Sequence, residues 1–195
     1  STITADRIGL VVSRDPTSTQ GATAIVSGNS TITGETTGAT VNAFSHLTLN
    51  QSTLTGTGPS AVGLRMFGGT GEANGSTITG SRNGILINTD LAFNVTSTVI
   101  LDRTKVTGLS DAAIVVDAGS TGTSQADIAV LNGTTLSAGN GILMDVRKGA
   151  EANLRVGNST LVGDIVADGA STANVLLEDS ATLTGRLQNV QNLGV

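Results

Sequence analysis

The phrase Ser76-Thr-Ile-Thr-Gly80 recurs along this chain and decides its fold. Related five-residue phrases begin at Ser1, Ser30, Ser52, Ser76, Thr104, Thr134, Ser159 and Ala181. Successive phrases start 22 to 30 residues apart. A repeat of this length indicates a solenoid, in which each coil buries its apolar face against its neighbours.

Each coil carries three short runs of alternating residues. In the coil from Ala152 to Asp168, these runs are Leu154–Val156, Ser159–Val162 and Ile165–Ala167, and turn residues separate them. Similar runs recur one repeat away, so that each strand has a partner. The sequence therefore predicts an all-β fold: a right-handed, three-stranded parallel β-helix of about eight coils, with residues 1–195 in a single domain.

The composition agrees with a narrow rod. Hydrophobic residues make up 38% of the chain, but there are only three Phe and no Trp or Tyr, so the core is expected to be thin and aliphatic. The net charge of −5 and the lack of a basic cluster argue against nucleic acid as a partner. The chain has no cysteine for disulfides or thiolate metal sites, and no apolar run long enough to span a bilayer.

The phrase predicts an inward apolar residue between two outward ones, because strand side chains alternate between faces. Stacked phrases then place two columns of Thr on the outside, interrupted at Lys105 and Val162. A flat double column of Thr is typical of ice-binding solenoids. Threonine also suits the solvent face of any strand, so ice binding is one of two open interpretations.

The third runs end in polar residues. Aligning these runs places Asn88, Asp117, Asp145 and Asp168 at equivalent positions. Stacked carboxylates could bind a hard cation such as calcium, so Asp117, Asp145 and Asp168 are weak candidate metal ligands. The alternative is that each Asp caps the turn that follows it.

No catalytic residues and no cofactor are predicted. Parallel β-helices include pectin-degrading enzymes, which need clustered acids with a basic residue and often calcium. This chain has no Asp-Asp pair, and its single histidine, His46, has no nucleophile motif beside it and is expected to face outward or to line a corner. A polysaccharide-binding or polysaccharide-degrading protein stays open as an alternative function.

The middle residues of the third runs form a predicted interaction surface. By alternation, the side chains that point outward are those of Val11, Arg65, Leu86, Val115, Leu143 and Val166. An exposed, mainly aliphatic stripe is typical of an interface. Alternatively, loops cover it; insertions rich in Gly, Ser and Thr are expected at 13–20, 67–75, 89–97 and 118–127.

Several segments resemble one family. The segments 163–169 and 173–187, together with Asn83-Gly-Ile-Leu-Ile87 and Asn140-Gly-Ile-Leu-Met144, resemble coils of pertactin-like passenger domains of bacterial autotransporters. This resemblance implies display on a Gram-negative cell surface, as part of a longer chain with a signal peptide and a membrane barrel, both absent here. It covers nearly the whole chain as a repeat pattern.

The function expected from this resemblance is adhesion or self-association without catalysis. The implied partners are a second copy or a host-surface receptor or glycan, and any membrane contact would go through the absent barrel. The Arg-Gly-Asp tripeptide found in some members is missing, so the ligand stays open.

Overall fold

The chain forms a parallel β-helix. A computed structural model describes residues 1–15, 17–88, 93–120 and 122–195. These residues form 24 strands and no helix, and every strand pairing is parallel. Three strands follow one another in each coil, and the coils stack through about seven turns, which confirms the predicted architecture. In the described part of the chain no helix could cross a membrane.

Strands of the same kind stack into three faces of the rod. Sheet A contains the repeated phrases: β1 (Thr2–Ala5), β4 (Thr31–Gly34), β7 (Thr53–Gly56), β10 (Thr77–Gly80), β13 (Lys105–Gly108) and β16 (Thr135–Ala138), with β19 (Thr160–Val162) and β22 (Thr182–Thr184) as a separate pair beyond them.

Sheet B follows the phrases in each coil. Its strands are β2 (Ile8–Val12), β5 (Thr37–Asn42), β8 (Val62–Phe67), β11 (Asn83–Asn88), β14 (Ile114–Asp117), β17 (Ile142–Arg147), β20 (Asp164–Ala167) and β23 (Leu187–Gln188).

Sheet C closes each coil before the next phrase begins. Its strands are β3 (Thr23–Val26), β6 (His46–Asn50), β9 (Gly69–Asn74), β12 (Ser97–Asp102), β15 (Gln125–Leu131), β18 (Glu151–Gly157), β21 (Thr172–Glu178) and β24 (Val190–Gly194).

The core is a stack of aliphatic side chains along the rod. The central residues of the six inner phrases are buried in one column, namely Ile32, Leu54, Ile78, Val106, Leu136 and Leu161. Residues of sheets B and C meet them from the other two sides, such as Ile85 and Val99. The predicted inward position of the phrase centre is confirmed for these six coils.

A buried column of hydroxyl groups joins sheet C to sheet A. The first residue of the phrase points into this corner and is buried at Ser52, Ser76, Thr104 and Thr134. The Thr104 hydroxyl accepts a hydrogen bond from the Ser76 N–H at 3.3 Å and donates to the Ala73 carbonyl at 2.9 Å. In this hydroxyl ladder, the hydroxyls of Ser76, Thr104 and Thr134 each satisfy an N–H and a carbonyl of the preceding coil.

The corner between sheets A and B is built on glycine. A Cβ on Gly80, the last residue of its phrase, would overlap the carbonyl oxygen of Asn83, and Gly56 and Gly108 have equivalent contacts. Gly84 follows in sheet B, where a Cβ would lie 2.5 Å from a Val106 methyl group. The glycine that closes the phrase therefore permits a corner too tight for any side chain.

The predicted insertion at 67–75 is wrong, because β9 occupies it in register with its neighbours. The expected strand signal is missing since Gly71 stands at the inward position held by Leu47 and Val99 in the adjacent coils. The side chains of Leu64 and Met66 fill this space, within 3.5 Å of where a Gly71 Cβ would lie. The insertion at 89–97 lies partly outside the described residues.

The hydroxyl ladder makes Thr104 a sharp test of coil registration. Replacing Thr104 by Val keeps the shape but leaves the Ser76 N–H and the Ala73 carbonyl without this partner, so the free energy of unfolding should fall by about 1–3 kcal/mol. The control is Thr107→Val in the same phrase, since the Thr107 hydroxyl is buried without a hydrogen-bond partner among the described residues and should be dispensable. Urea unfolding measures both; equal losses would contradict the role of the ladder.

Candidate binding surfaces

The register of sheet B differs from the predicted alignment at one strand. A bulge between Ile142 and Met144 shifts β17, so that Asp145 pairs with Val115 and Val166. Arg147, not Asp145, is opposite Asp117. The predicted equivalence of Asp145 with Asp117 is therefore wrong, because the inward residues of this strand are Met144 and Val146 and not Ile142 and Met144.

The true outward column of sheet B, here called the sheet B stripe, has a mixed composition. In strand order it contains Val11, Thr40, Arg65, Leu86, Val115, Asp145, Val166 and Gln188. Val11 is 51% exposed, whereas Arg65, Leu86 and Val166 are half-buried. The column therefore differs from the predicted, mainly aliphatic stripe, since it also contains Thr40 and Asp145 and Leu143 is not part of it.

Two predicted members of the stripe are buried. Leu143 is 2% exposed, because the bulge packs it into the core next to Gly163. Val115 is 1% exposed. Asp145, the neighbour of Val115 in the next strand, pairs with Arg147 at 3.2 Å, and Arg147 also lies 3.9 Å from Asp111. Neither Leu143 nor Val115 can serve as an interaction surface.

A charged cluster occupies the half of sheet B towards the C-terminus. It contains four carboxylates, each with a basic partner or a backbone N–H donor. Arg82 lies 3.4 Å from Asp111, and Arg147 bridges Asp111 and Asp145. The Lys148 ammonium lies 3.1 Å from Asp117, and its backbone N–H donates to Asp168 at 2.6 Å.

Asp117 and Asp168 cap the turns after their strands. The Gly119 N–H donates to Asp117 at 2.7 Å, and the Ala170 N–H donates to Asp168 at 3.0 Å. These contacts are the ones expected from the capping alternative. Within the described residues, no three acidic, histidine or cysteine side chains lie close enough to hold a metal ion. The arrangement favours caps over a cation site.

The carboxylates of the charged cluster differ in their acidity. The Lys148 N–H, with Ser171 and Ala170, lowers the pKa of Asp168. Burial raises the pKa of Asp145, and Arg147 only partly opposes this effect. The raised pKa destabilises the ionised form of Asp145, but no histidine or nucleophile motif accompanies it. The cluster thus carries charge that is mostly neutralised internally.

Sheet C carries a long open groove that the sequence did not reveal. It crosses the strands β12, β15, β18, β21 and β24 and has a volume of about 570 Å³. Its floor is the strand backbone. Two outward columns form its walls: the amide column, Thr98, Asp127, Asn153, Asn174 and Asn192, and the aliphatic column, Ile100, Ala129, Arg155, Leu176 and Gly194.

The amide column is a chain of hydrogen bonds. Asn192 donates to Asn174 at 2.7 Å, Asn174 donates to Asn153 at 2.9 Å, and Asn153 donates to Asp127 at 2.9 Å. Each inner amide uses one N–H and one oxygen lone pair in this chain. Because a side-chain amide has two of each, Asn153 and Asn174 each keep one donor and one acceptor that this chain does not use.

The aliphatic column offers apolar contact across the groove. Ile100 is half-buried and Leu176 is 43% exposed, and the small Ala129 between Ile100 and Arg155 leaves the groove deep. Arg155 pairs with Glu178 at 2.7 Å, so its charge is neutralised. One signal of this groove is visible in the sequence: residues before the inward Ile128, Leu154 and Val175 are Asp or Asn.

Sheet A presents the predicted Thr columns. The pairs Thr2/Thr4, Thr31/Thr33, Thr53/Thr55 and Thr77/Thr79 are in register, and Lys105 interrupts the next coil. His46 lies on sheet C, half-exposed and 3.5 Å from Glu72, which confirms its predicted outward position. His46 belongs to an earlier coil than the residues of the charged cluster on sheet B, and it forms no triad with them.

Comparison with known proteins returns no match: no family model, no curated protein and no solved structure is significantly similar to this chain.

Asp168 links the charged cluster to stability through its turn. Because its folded pKa is below its ordinary value of 3.8, the carboxylate stabilises the fold above that pH, and this contribution is lost as the pH falls through the folded pKa. Because water screens this carboxylate, Asp168→Ala should reduce the free energy of unfolding by only about 0.5 kcal/mol at pH 7.

Denaturant unfolding gives the free energy of unfolding of Asp168→Ala and of the parent protein at each pH. The difference between these two free energies should shrink below pH 4. Asp6→Ala serves as the control, since Asp6 is exposed and is expected to change stability little at either pH. A difference that stays constant down to acidic pH would contradict the capping role of the ionised carboxylate.

Proposed function

We propose that this chain is a non-enzymatic passenger module that acts in adhesion on the outside of a bacterial cell, with the sheet C groove as its ligand-binding face. The repeat pattern that resembles pertactin-like passengers supports the location. The observation that carries the proposal is the amide column, whose free donors and acceptors line one wall of the groove.

The geometry of the groove fits an extended glycan chain. A sugar hydroxyl needs a donor and an acceptor together, and each inner amide retains one of each. The amides repeat along the rod at the coil spacing of about 4.8 Å, which is similar to the length of one pyranose residue. The aliphatic wall can contact the C–H faces of the sugar rings, and the open ends admit a polymer.

Catalysis on such a glycan has less support. The acids and bases that could act together lie on sheet B, where Asp111, Asp117 and Asp145 are paired with Arg82, Lys148 and Arg147. The groove walls on sheet C contain one carboxylate, Asp127, which accepts a hydrogen bond from Asn153. We therefore expect no product from acidic polysaccharides, with or without calcium.

Filling the groove tests the proposed ligand face. Ala129→Phe places an aromatic ring between the two walls, next to Ile100, where a β-sheet tolerates it. Binding to a glycan array of neutral and acidic chains should fall about tenfold or more, since the ring occupies the ligand position. Thr135→Phe, an exposed position on sheet A of the same coil, is the matched control and should bind as the parent does.

The result of the groove experiment separates adhesion from self-association. Loss of glycan binding by Ala129→Phe alone supports the proposal. A different result would identify the groove as a protein interface. In that case neither the parent protein nor Ala129→Phe binds a glycan, and sedimentation shows that the parent protein self-associates whereas Ala129→Phe does not. Equal binding by the parent and both variants would exclude the groove as the ligand face.

Ice binding is a second candidate function, and the register of sheet A favours it. Four successive coils present aligned Thr-x-Thr rows on one flat face, before Lys105 interrupts the column. If this face binds ice, the protein shows thermal hysteresis and Thr55→Tyr, in the middle of the array, removes most of it. The same substitution should leave glycan binding by sheet C unchanged. If solutions of the parent protein show no thermal hysteresis, ice binding is excluded.

A further inference from the structure

Asp127 is the carboxylate at one end of the hydrogen-bonded amides in the sheet C groove. It is exposed, and it lies opposite Thr98 in one neighbouring strand and Asn153 in the other. It accepts a hydrogen bond from Asn153 at 2.9 Å. In the part of the chain that the structure describes, no basic side chain lies within ion-pair distance of Asp127. Its negative charge thus faces the groove without a cationic partner among these residues.

This carboxylate fixes the direction of the amide column, because an ionised carboxylate accepts hydrogen bonds and cannot donate them. Asn153 must therefore turn its Nδ2 towards Asp127, which leaves its Oδ1 to accept the bond from Asn174 at 2.9 Å. Asn174 in turn accepts a hydrogen bond from Asn192 at 2.7 Å. The three amides have the same direction, with nitrogen towards the N-terminal end of the rod and oxygen towards the C-terminal end.

A neighbouring row of sheet C follows the same rule in the opposite direction. The side-chain nitrogen of Gln125 lies 3.4 Å from Glu151 in the next strand towards the C-terminal end. The side-chain oxygen of Gln125 accepts a hydrogen bond from the Thr96 hydroxyl at 3.3 Å. The amide nitrogen of this row points towards the C-terminal end because its carboxylate lies on that side. In both rows, the position of the carboxylate decides the direction of the amides.

The charges at the groove disfavour an anionic ligand. Arg155 is the basic residue of the aliphatic column, and Glu178 neutralises it at a distance of 2.7 Å. Asp127 adds a negative charge on the opposite wall, and the whole protein carries a net charge of −5. An acidic chain in the groove would be repelled by Asp127, and the described walls offer it no unpaired cation.

We propose that the sheet C groove selects an uncharged glycan and that Asp127 is the positioning residue for this selection, which rests on the proposed function of the groove. Asp127 acts through the amides of Asn153 and Asn174. Because these amides have one direction, successive sugars meet the same order of donor and acceptor, so one pattern of hydroxyl groups is matched at each coil. The charge of the same carboxylate excludes acidic chains from this end of the groove.

Side-chain amide NMR of the whole chain tests the positioning role without a ligand. Asn174 is the reporter, because it lies two strands from Asp127 and depends on it only through Asn153. Asp127→Asn places a group that can donate as well as accept, so both directions become available. The Nδ2 resonances of Asn174 should then move towards those of exposed amides, and their exchange with water should accelerate a few-fold. Asp127→Glu should restore the parent signature, since it keeps an acceptor.

The matched control for the NMR experiment is Glu151→Gln. This substitution removes one negative charge from the same sheet, in the neighbouring row and next to the coil of Asp127. The Asn174 resonances of Glu151→Gln should stay as in the parent protein. If Asp127→Asn also leaves the Asn174 resonances unchanged, Asp127 does not position the amides, and the proposal is overturned.

Matched glycans test the selection. Cellohexaose, galactohexaose and mannohexaose are each compared with the hexamer of the corresponding uronic acid, by titration calorimetry with the whole chain. We expect the parent protein to bind at least one neutral hexamer about fivefold or more tightly than its acidic counterpart. Asp127→Asn should weaken the neutral complex a few-fold and bring the two affinities close together. Asp127→Glu should retain the preference for the neutral chain.

The binding results distinguish the selection from the groove function itself. If Asp127→Asn binds both hexamers with the affinities of the parent protein, the role of Asp127 is excluded while the groove stays a glycan site. Equal or tighter binding of the acidic hexamer by the parent protein also overturns the selection alone. If the parent protein binds none of the six hexamers, the glycan function of the groove fails, and the selection fails with it.

Discussion

The structure depends on the registration of each coil on the preceding one, and the hydroxyl ladder is the interaction that holds this registration inside the rod. Parallel backbone hydrogen bonds alone permit a strand to slip. The Thr104 hydroxyl removes this freedom at the corner between sheets C and A, because it bonds to the backbone of both Ser76 and Ala73. Burial of an unpaired hydroxyl would be unfavourable, so only the correct register satisfies it. The first residue of the phrases that begin at Ser76, Thr104 and Thr134 thus fixes where the aliphatic centre of the phrase is packed.

Much of the fold was predictable because the phrase encodes its own position in the coil. The inward Ile78, the outward Thr77 and Thr79 and the terminal Gly80 follow from alternation and from a tight corner. Alternation places Ser76 on the same side as Ile78, but its hydroxyl and its position just before the strand give no sign that it is buried. Strand β9 was missed because it has no apolar side chain at its central inward position. Its inward Gly71 has no side chain to signal a strand, and the missing volume comes from Leu64 and Met66, which belong to another sheet.

The candidate surfaces were harder to predict because they depend on register between coils that vary in length. A single bulge before Met144 brings Asp145 into the sheet B stripe and places Arg147 opposite Asp117. Val115 is buried, and Leu143 enters the core. The capping role of Asp117 and Asp168 was a stated alternative, because it needs only local contacts. The sheet C groove was not foreseen: its walls combine side chains from five strands, and the sequence of any one strand shows only one Asn or Asp.

The bulge also divides the outer face of sheet B into two electrostatic halves. Towards the C-terminus, Arg147 and Lys148 follow the bulge by a few residues and neutralise the carboxylates around them, so this half has little capacity for a charged ligand. Towards the N-terminus, Arg65 has no such partner among the described residues, although it is more desolvated than an exposed surface arginine. Val11 and Leu86, which share the sheet B stripe with Arg65, are uncharged, so the two halves of this face differ in the number of charges that they carry.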